Sequence, residues 1–198
     1  MKFDDSGIDM ALSMLDGRLR LNDSPSVRLV VCSGSALIAM DLVQRTTDDV
    51  DVVALVDSMG CLVSPAAFPA YLNKAIREVG LVLELPEHWL NNGPSSDERG
   101  LFQTGLPDGL FSRAHRMDYG SHLTVFSICR IDQIFFKVFA AADSLGVHVD
   151  DLTALNPSST EMENAARWCM KCDPSEGFRQ ILVSMLQQLG YGDVTERL

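Results

Sequence analysis

Val31-Cys32-Ser33-Gly34-Ser35-Ala36-Leu37, followed eight residues later by Arg45-Thr46-Thr47-Asp48-Asp49-Val50-Asp51-Val52-Val53, is the stretch on which the reading of this chain turns. Val27 to Cys32 has the β-branched, apolar composition of a strand, and Ser33-Gly34-Ser35 breaks it. Ala36 to Val43 resumes a helical composition, Gln44 to Asp48 is polar, and Val50 to Val56 is a second apolar strand. Asp49 and Asp51 are two apart at the start of that strand, so their side chains leave the same face. Two adjacent carboxylates repel unless something positive lies between them, and a divalent cation is the usual solution. Mg²⁺ is commonly held by one or two carboxylates together with phosphate oxygens of a substrate. A glycine after a strand lets backbone approach a phosphate closely, and the following helix turns free N–H groups toward an anion. Gly34 is placed to do this, and the Ser35 hydroxyl can bond terminal phosphates. Each half is a weak signal alone: Asp-x-Asp is common at strand starts, and Gly-Ser before a helix is more often a plain turn.

Outward from this centre the chain reads as mixed α/β and then all helical. Ile8, Leu12, Leu15 and Leu19 recur at helical spacing, with Asp4, Asp5 or Ser6 available as N-cap. Ser64-Pro65 is read as a helix start and Gly80 as its stop, with Leu81 to Leu85 a short strand. Residues 86 to 121 have no clean period and read as a long loop region. His122 to Ser127 returns to strand character, and Arg130 to Leu145 is an amphipathic helix. Further helices are expected over 150–155, 159–171 and 175–189, with Ser158-Ser159-Thr160-Glu161 fitting a capping box. The expected organisation is an α/β domain over 1–128 and a helical extension packed on it over 129–198.

The 198 residues, 46% hydrophobic and 22% charged, suit a folded globular protein. No apolar run approaches the ~20 residues of a membrane span, and Met1-Lys2-Phe3 runs straight into Asp4-Asp5, so neither a membrane anchor nor a signal peptide is expected. Five cysteines, three of them among apolar neighbours, fit a reducing, cytoplasmic setting. The lone Cys169-x-x-Cys172 lacks the further ligands a structural zinc site needs. A net charge of -11 argues against a broad grip on nucleic acid, which depends on many Lys and Arg.

The paired segments 31–37 and 45–53 resemble the Gly-Ser and Arg-Thr-x-Asp-hydrophobic-Asp signature of the DNA polymerase β-like nucleotidyltransferase superfamily. Within it, the chain is most similar to uncharacterised bacterial nucleotidyltransferases related to the AbiEii toxins of abortive-infection systems. Leu85-Pro86-Glu87-His88-Trp89-Leu90-Asn91, Leu123-Thr124-Val125 with the helix from Ile131 to Ala141, and His148 to Leu155 extend the likeness over about residues 27 to 160. The resemblance implies an α+β nucleotidyltransferase fold, a mixed sheet flanked by helices, with a helical C-terminal extension. It implies Mg²⁺-dependent transfer of a nucleoside monophosphate from a nucleoside triphosphate to an acceptor (RNA, a protein hydroxyl or a small molecule). Asp49 and Asp51 would hold the metal, and Gly34 and Ser35 would cradle the triphosphate. Arg45 would contact phosphate or substrate, or else close a turn salt bridge. Lys137 would neutralise phosphate charge, or else lie on the polar border of its helix. A third carboxylate is expected on a neighbouring strand, with Asp118 favoured over Glu84. Without that acid the alternative is a catalytically degenerate fold that binds nucleotide or a protein. An intact toxin restrained by an antitoxin protein is a third form of the same expectation.

Overall fold

A computed structural model describes residues 5–198 except 33, 35, 38–46, 48, 99 and 144–146. The chain divides into two compact units, Met1–Cys129 and Arg130–Leu198. The whole is an α+β protein with a mixed sheet flanked by helices.

In the first unit, helix α1 (Asp5–Leu21) leads into strand β1 (Val27–Cys32). Strand β2 (Val50–Val56) pairs antiparallel with β1, bringing Cys32 opposite Asp51 and Val31 opposite Val52. The outer edge of β2 is shared. Strand β3 (Leu62–Val63) pairs antiparallel with its far end, and β4 (Leu90–Asn91) pairs parallel with its start. On the other side of β1 lie β6 (Leu123–Ser127), parallel to it, and β5 (His115–Asp118), antiparallel to β6. Among the described residues these strands form one sheet.

Val50 and Val52 turn toward helix α1 and helix α2 (Ala70–Leu83), where Leu12, Leu15, Leu72, Ile76 and Trp89 form the core. Alternation along the strand therefore sends Asp49 and Asp51 away from that core. The alternation is interrupted at Val53, which has no partner on β1 because the register shifts between Val30 and Val31. An extra residue of this kind leaves backbone groups unpaired. The Val53 carbonyl accepts instead from the buried Ser95 hydroxyl at 2.9 Å, and Ser95 Oγ in turn accepts the Phe102 N–H at 3.1 Å.

Helix α2 differs from expectation at both ends. It starts at Ala70 after Pro69, not at Ser64-Pro65, and it runs through the residues read as a strand, ending at Leu83. Gly80 is not its stop. A Cβ there would lie 3.3 Å from Trp89 Cδ1, so the glycine makes room for the indole, whose N–H donates to the Ile76 carbonyl at 3.0 Å. The helix ends at Glu84, in the left-handed conformation at φ 53°, and the N–H groups of Glu84 and Leu85 both reach the Gly80 carbonyl. The region read as a loop contains β4, a 3₁₀ turn (Gly93–Ser95), α3 (Leu101–Thr104), α4 (Leu110–Arg113) and β5.

The turn between β5 and β6 is fastened to α1. Asp16, buried on that helix, accepts the His122 and Leu123 N–H groups at 2.7 and 2.9 Å, and Tyr119 donates to Asp9 at 2.7 Å. A Cβ on Gly120 would overlap the Asp16 carboxylate, which is short and pinned by two donors. Gly120→Ala is expected to cost about 1–3 kcal/mol, read as a lower denaturant midpoint. Gly17→Ala, in the same helix as Asp16 but with nothing within 4 Å of the added carbon, should be neutral or gain up to about 1 kcal/mol.

The second unit is helical: α5 (Arg130–Asp143), α6 (Val147–Leu155), α7 (Ser159–Cys172), α8 (Glu176–Gln188) and α9 (Gly192–Thr195). Trp168 sits among Phe135, Phe136 and Phe139, each with ring centroids 5.8 Å away. The capping box at Ser158 and Glu161 is present, and Arg130 ties it to α6, donating to Glu161 at 2.6 Å and to the Leu155 carbonyl at 3.0 Å. These Arg130 bonds, with smaller help from Ser158, hold the Glu161 carboxyl below its ordinary value of 4.5. A carboxyl depressed on folding contributes stability that is complete above its unfolded value and lost as pH falls through its folded one. The unit should therefore weaken below about pH 4.5, and Glu161→Gln should flatten part of that acid limb in a thermal melt series. Glu163, lowered by Arg197 and Arg167, acts in the same direction and would preserve the rest.

Candidate functional site

The end of β1 and the start of β2 bring two of the signature's parts together. β1 ends at Cys32, and the described residues Gly34, Ala36 and Leu37 beyond it are helical and buried. Cys32 faces Asp51 across the sheet, so the chain leaves β1 beside the carboxylate-bearing end of β2. Ser35 and Arg45 lie outside the described residues. Asp49 immediately precedes β2 and Asp51 is its second residue, and both are half-buried.

Asp49 is held from the other edge of the strand. Val50 N–H donates to the Trp89 carbonyl at 2.6 Å, which starts the parallel pairing of β2 with β4, and Asn91 then falls opposite Asp51. From there Asn91 Nδ2 donates to Asp49 Oδ2 at 3.2 Å. Asn91 is itself fixed, since its Oδ1 accepts the Gly93 N–H at 2.7 Å and its Nδ2 also reaches the His88 carbonyl at 3.3 Å. On the opposite side Thr47 Oγ1 lies 3.4 Å from Asp49 Oδ1, longer than the ~2.5–3.0 Å of a good O–H···O bond. The described geometry thus gives each Asp49 oxygen one long side-chain hydrogen bond, at 3.2 and 3.4 Å.

The donor set fits a hard divalent cation, because carboxylate oxygens two residues apart on one face suit Mg²⁺. Among the described residues no three His, Cys, Asp or Glu converge on one point. Beyond such carboxylates Mg²⁺ commonly keeps phosphate or water oxygens as ligands.

The third carboxylate is corrected by the sheet. Asp118 faces Thr124, which faces Arg28, whereas Asp51 faces Cys32. Four residues along β1 and three strand spacings across separate the two aspartates, about 20 Å. Asp118 is also engaged locally, its Oδ1 accepting from Thr124 at 2.7 Å and from Arg116 at 3.0 and 3.1 Å, and these bonds hold its carboxyl below the usual range. Glu84 is on no strand; it is the exposed cap of α2. The two residues that flank Asp51 across the sheet are Cys32 and Asn91, and neither is an acid.

Lys137 is also corrected. Its side chain is 4% exposed and its Nζ lies 2.7 Å from Asp151 Oδ2, itself 2% exposed, inside the helical unit. Its charge is matched to a buried carboxylate on α6 rather than offered at a surface. Cys169 of the Cys-x-x-Cys pair is buried on α7, and burial pushes its thiol well above the ordinary range.

Two cavities are lined by described residues other than the aspartates. One, of about 670 Å³, is in the helical unit between α5 and α8, lined by Ala141, Gln180, Ile181 and Met185. The other, of about 490 Å³, lies beside α2 and is lined by Arg77, Leu81, Glu84, Pro86 and Trp89.

Asn91 is the residue that sequence reasoning missed. It lies within the segment 85–91 whose likeness was noted, but a strand of two residues has no period to read, and its partner lies forty residues earlier. The described residues define an α+β protein with a mixed sheet and a carboxylate pair at the end of one strand. Comparison with protein-family models, with curated proteins and with solved structures gives no match. No helix among the described residues is long and apolar enough to cross a membrane.

Proposed function

We propose that the chain is a Mg²⁺-dependent protein of the nucleotidyltransferase type, acting on a nucleoside triphosphate at the junction of β1 and β2. One observation carries the reading: Gly34 is helical two residues past the end of β1, whose Cys32 pairs with Asp51, and Asp49 and Asp51 lie on one face with Asp49 bonded by Asn91. A helix start favours anionic phosphate through its free N–H groups and dipole. Asp49 and Asp51 would hold Mg²⁺ against that phosphate. Bound there, the ion would neutralise charge on the triphosphate and on the phosphoryl group in flight. The chain's own part is positioning: the β1–β2 register sets Cys32, two residues before Gly34, opposite Asp51, and Asn91 bonds Asp49. The acceptor is RNA, a protein hydroxyl or a small molecule.

A second reading is favoured by Cys32 and Asn91 flanking Asp51 where an acid would assist an acceptor hydroxyl. In that reading the fold binds a nucleotide, or a partner protein, without transfer. Incubation with each α-³²P-labelled triphosphate and Mg²⁺, in the presence of total RNA or of cell protein, separates the two. Label moved to an acceptor supports transfer. Mg²⁺-dependent binding with no label moved supports the binding module.

A further inference from the structure

We propose that β5 is a self-association edge, pairing antiparallel with β5 of a second copy of this chain about a two-fold axis at Met117. β5 ends the sheet on the side away from β3, and its residues His115 to Asp118 are all exposed. Among the described residues no strand lies beyond it. The direction of its backbone groups follows from its register on β6. Tyr119 N–H donates to the Leu123 carbonyl at 3.0 Å, and the pairing continues as Met117 with Val125 and His115 with Ser127. In an antiparallel ladder, residues that exchange both bonds alternate with residues that exchange none. The N–H and C=O groups of Arg116 and Asp118 therefore point outward. Such a row of open groups is a template for another strand.

The side chains select the partner. Arg116 and Asp118 share one face and lie 3.0 Å apart at their tips, with side-chain exposures of 62% and 50%. Met117, on the other face, is a large apolar side chain left 43% exposed. Arg116 set opposite the partner's Arg116, or Asp118 opposite the partner's Asp118, would place like charges face to face, which destabilises a sheet. The former register would also call on the Ala114 N–H, which already donates to the Phe111 carbonyl at 3.3 Å. The register between them sets Arg116 opposite the partner's Asp118 and Asp118 opposite the partner's Arg116. All the outward N–H and C=O groups of these residues are then paired, and the charged side chains alternate in sign. Met117 meets the partner's Met117 as a non-hydrogen-bonded pair, with Cα atoms ~4.5 Å apart. The order Arg-Met-Asp is thus complementary to itself when reversed, the requirement of a two-fold contact.

The test is sedimentation equilibrium of the full chain, reduced, at ~0.15 M salt, where repulsion between two chains of net charge -11 is screened beyond about 8 Å. The wild type is expected to dimerise reversibly. Arg116→Asp and Asp118→Arg should each weaken self-association by at least about tenfold. An equimolar mixture of the two should dimerise again, because opposite charges then face each other at both positions. That recovery restores no charge pair within either chain, so local stabilisation of β5 would not produce it. Independently, Met117→Cys with the exposed Cys61 changed to serine should form a disulfide-linked dimer on mild oxidation that the Cys61→Ser parent does not, since the expected Cα spacing suits a disulfide. A wild type that stays monomeric at its highest soluble concentration overturns the proposal and leaves the edge to an extended segment of another protein. A dimer unaffected by both charge reversals, or two folded variants that fail to pair when mixed, overturns it as well.

Discussion

Exchanging Lys137 for methionine is expected to destabilise the helical unit by about 3–5 kcal/mol, because it removes the cation from beside a buried carboxylate. The two groups meet at 2.7 Å with side-chain exposures of 4% and 2%, so water cannot take over the role of the ammonium at Asp151. Methionine matches the length of the lysine stem and packs well, which isolates the electrostatic loss from any cavity. Equilibrium urea denaturation followed by fluorescence in a Trp89→Phe background leaves Trp168, the indole packed against Phe135, Phe136 and Phe139 of α5, to read this unit. The companion variant Lys137→Met/Asp151→Leu removes both charges and should recover most of the loss, since an apolar pair of similar volume is often neutral in such a place. A Lys137→Met protein as stable as the wild type would mean that Lys137 is not needed as the partner of Asp151. That would reopen the phosphate-binding reading the buried pair now argues against.

The second large effect is on ligand binding. Asp49→Ala/Asp51→Ala should lower Mg²⁺-dependent affinity for a nucleoside triphosphate by at least about 100-fold, about 2.8 kcal/mol. It should leave the fold almost unchanged. Both side chains are half-buried and point away from the core that Val50 and Val52 enter, so their removal opens no apolar cavity. Asn91 loses one acceptor but keeps its bonds to Gly93 and His88. Circular dichroism melts check the fold, and calorimetry reads the affinity. Equal affinity in the variant would detach nucleotide binding from these aspartates.

Much of the frame is written in local pattern. β1 and β2 are short apolar runs whose valine-rich composition favours strands, and α5, α7 and α8 carry helical stripes, with caps at Ser158 and Ser175 for the last two. These features depend on residues near one another in the chain, so propensity and period suffice. Gly80 misleads for a physical reason: a glycine late in a helix looks like a terminator, but here the constraint comes from the Trp89 indole, and Glu84 supplies the left-handed cap. The bulge at Val53 was likewise invisible, because it exists only in the pairing with β1 and is satisfied by Ser95 from forty-two residues away.

The candidate site divides along the same line. Gly34, Asp49 and Asp51 are candidates because the pattern that marks them is local in sequence, and the β1–β2 pairing sets Cys32 opposite Asp51. Asp118 stands just before a strand in the sequence, and only the strand order, with β5 at the far edge of the sheet, reveals its distance from Asp51. Lys137 has the same appearance in sequence whether it meets a phosphate or a buried aspartate; the approach of α6 decides for the aspartate. Asn91 acts through a ladder of two residue pairs and a side-chain bond to Asp49, neither of which leaves a trace in composition.

Calorimetric titration of ATP and of GTP into the wild-type protein, each with and without Mg²⁺, tests the central claim most directly. The account predicts binding of at least one triphosphate that appears only with Mg²⁺. A folded protein that binds neither triphosphate in the presence of Mg²⁺ would contradict it.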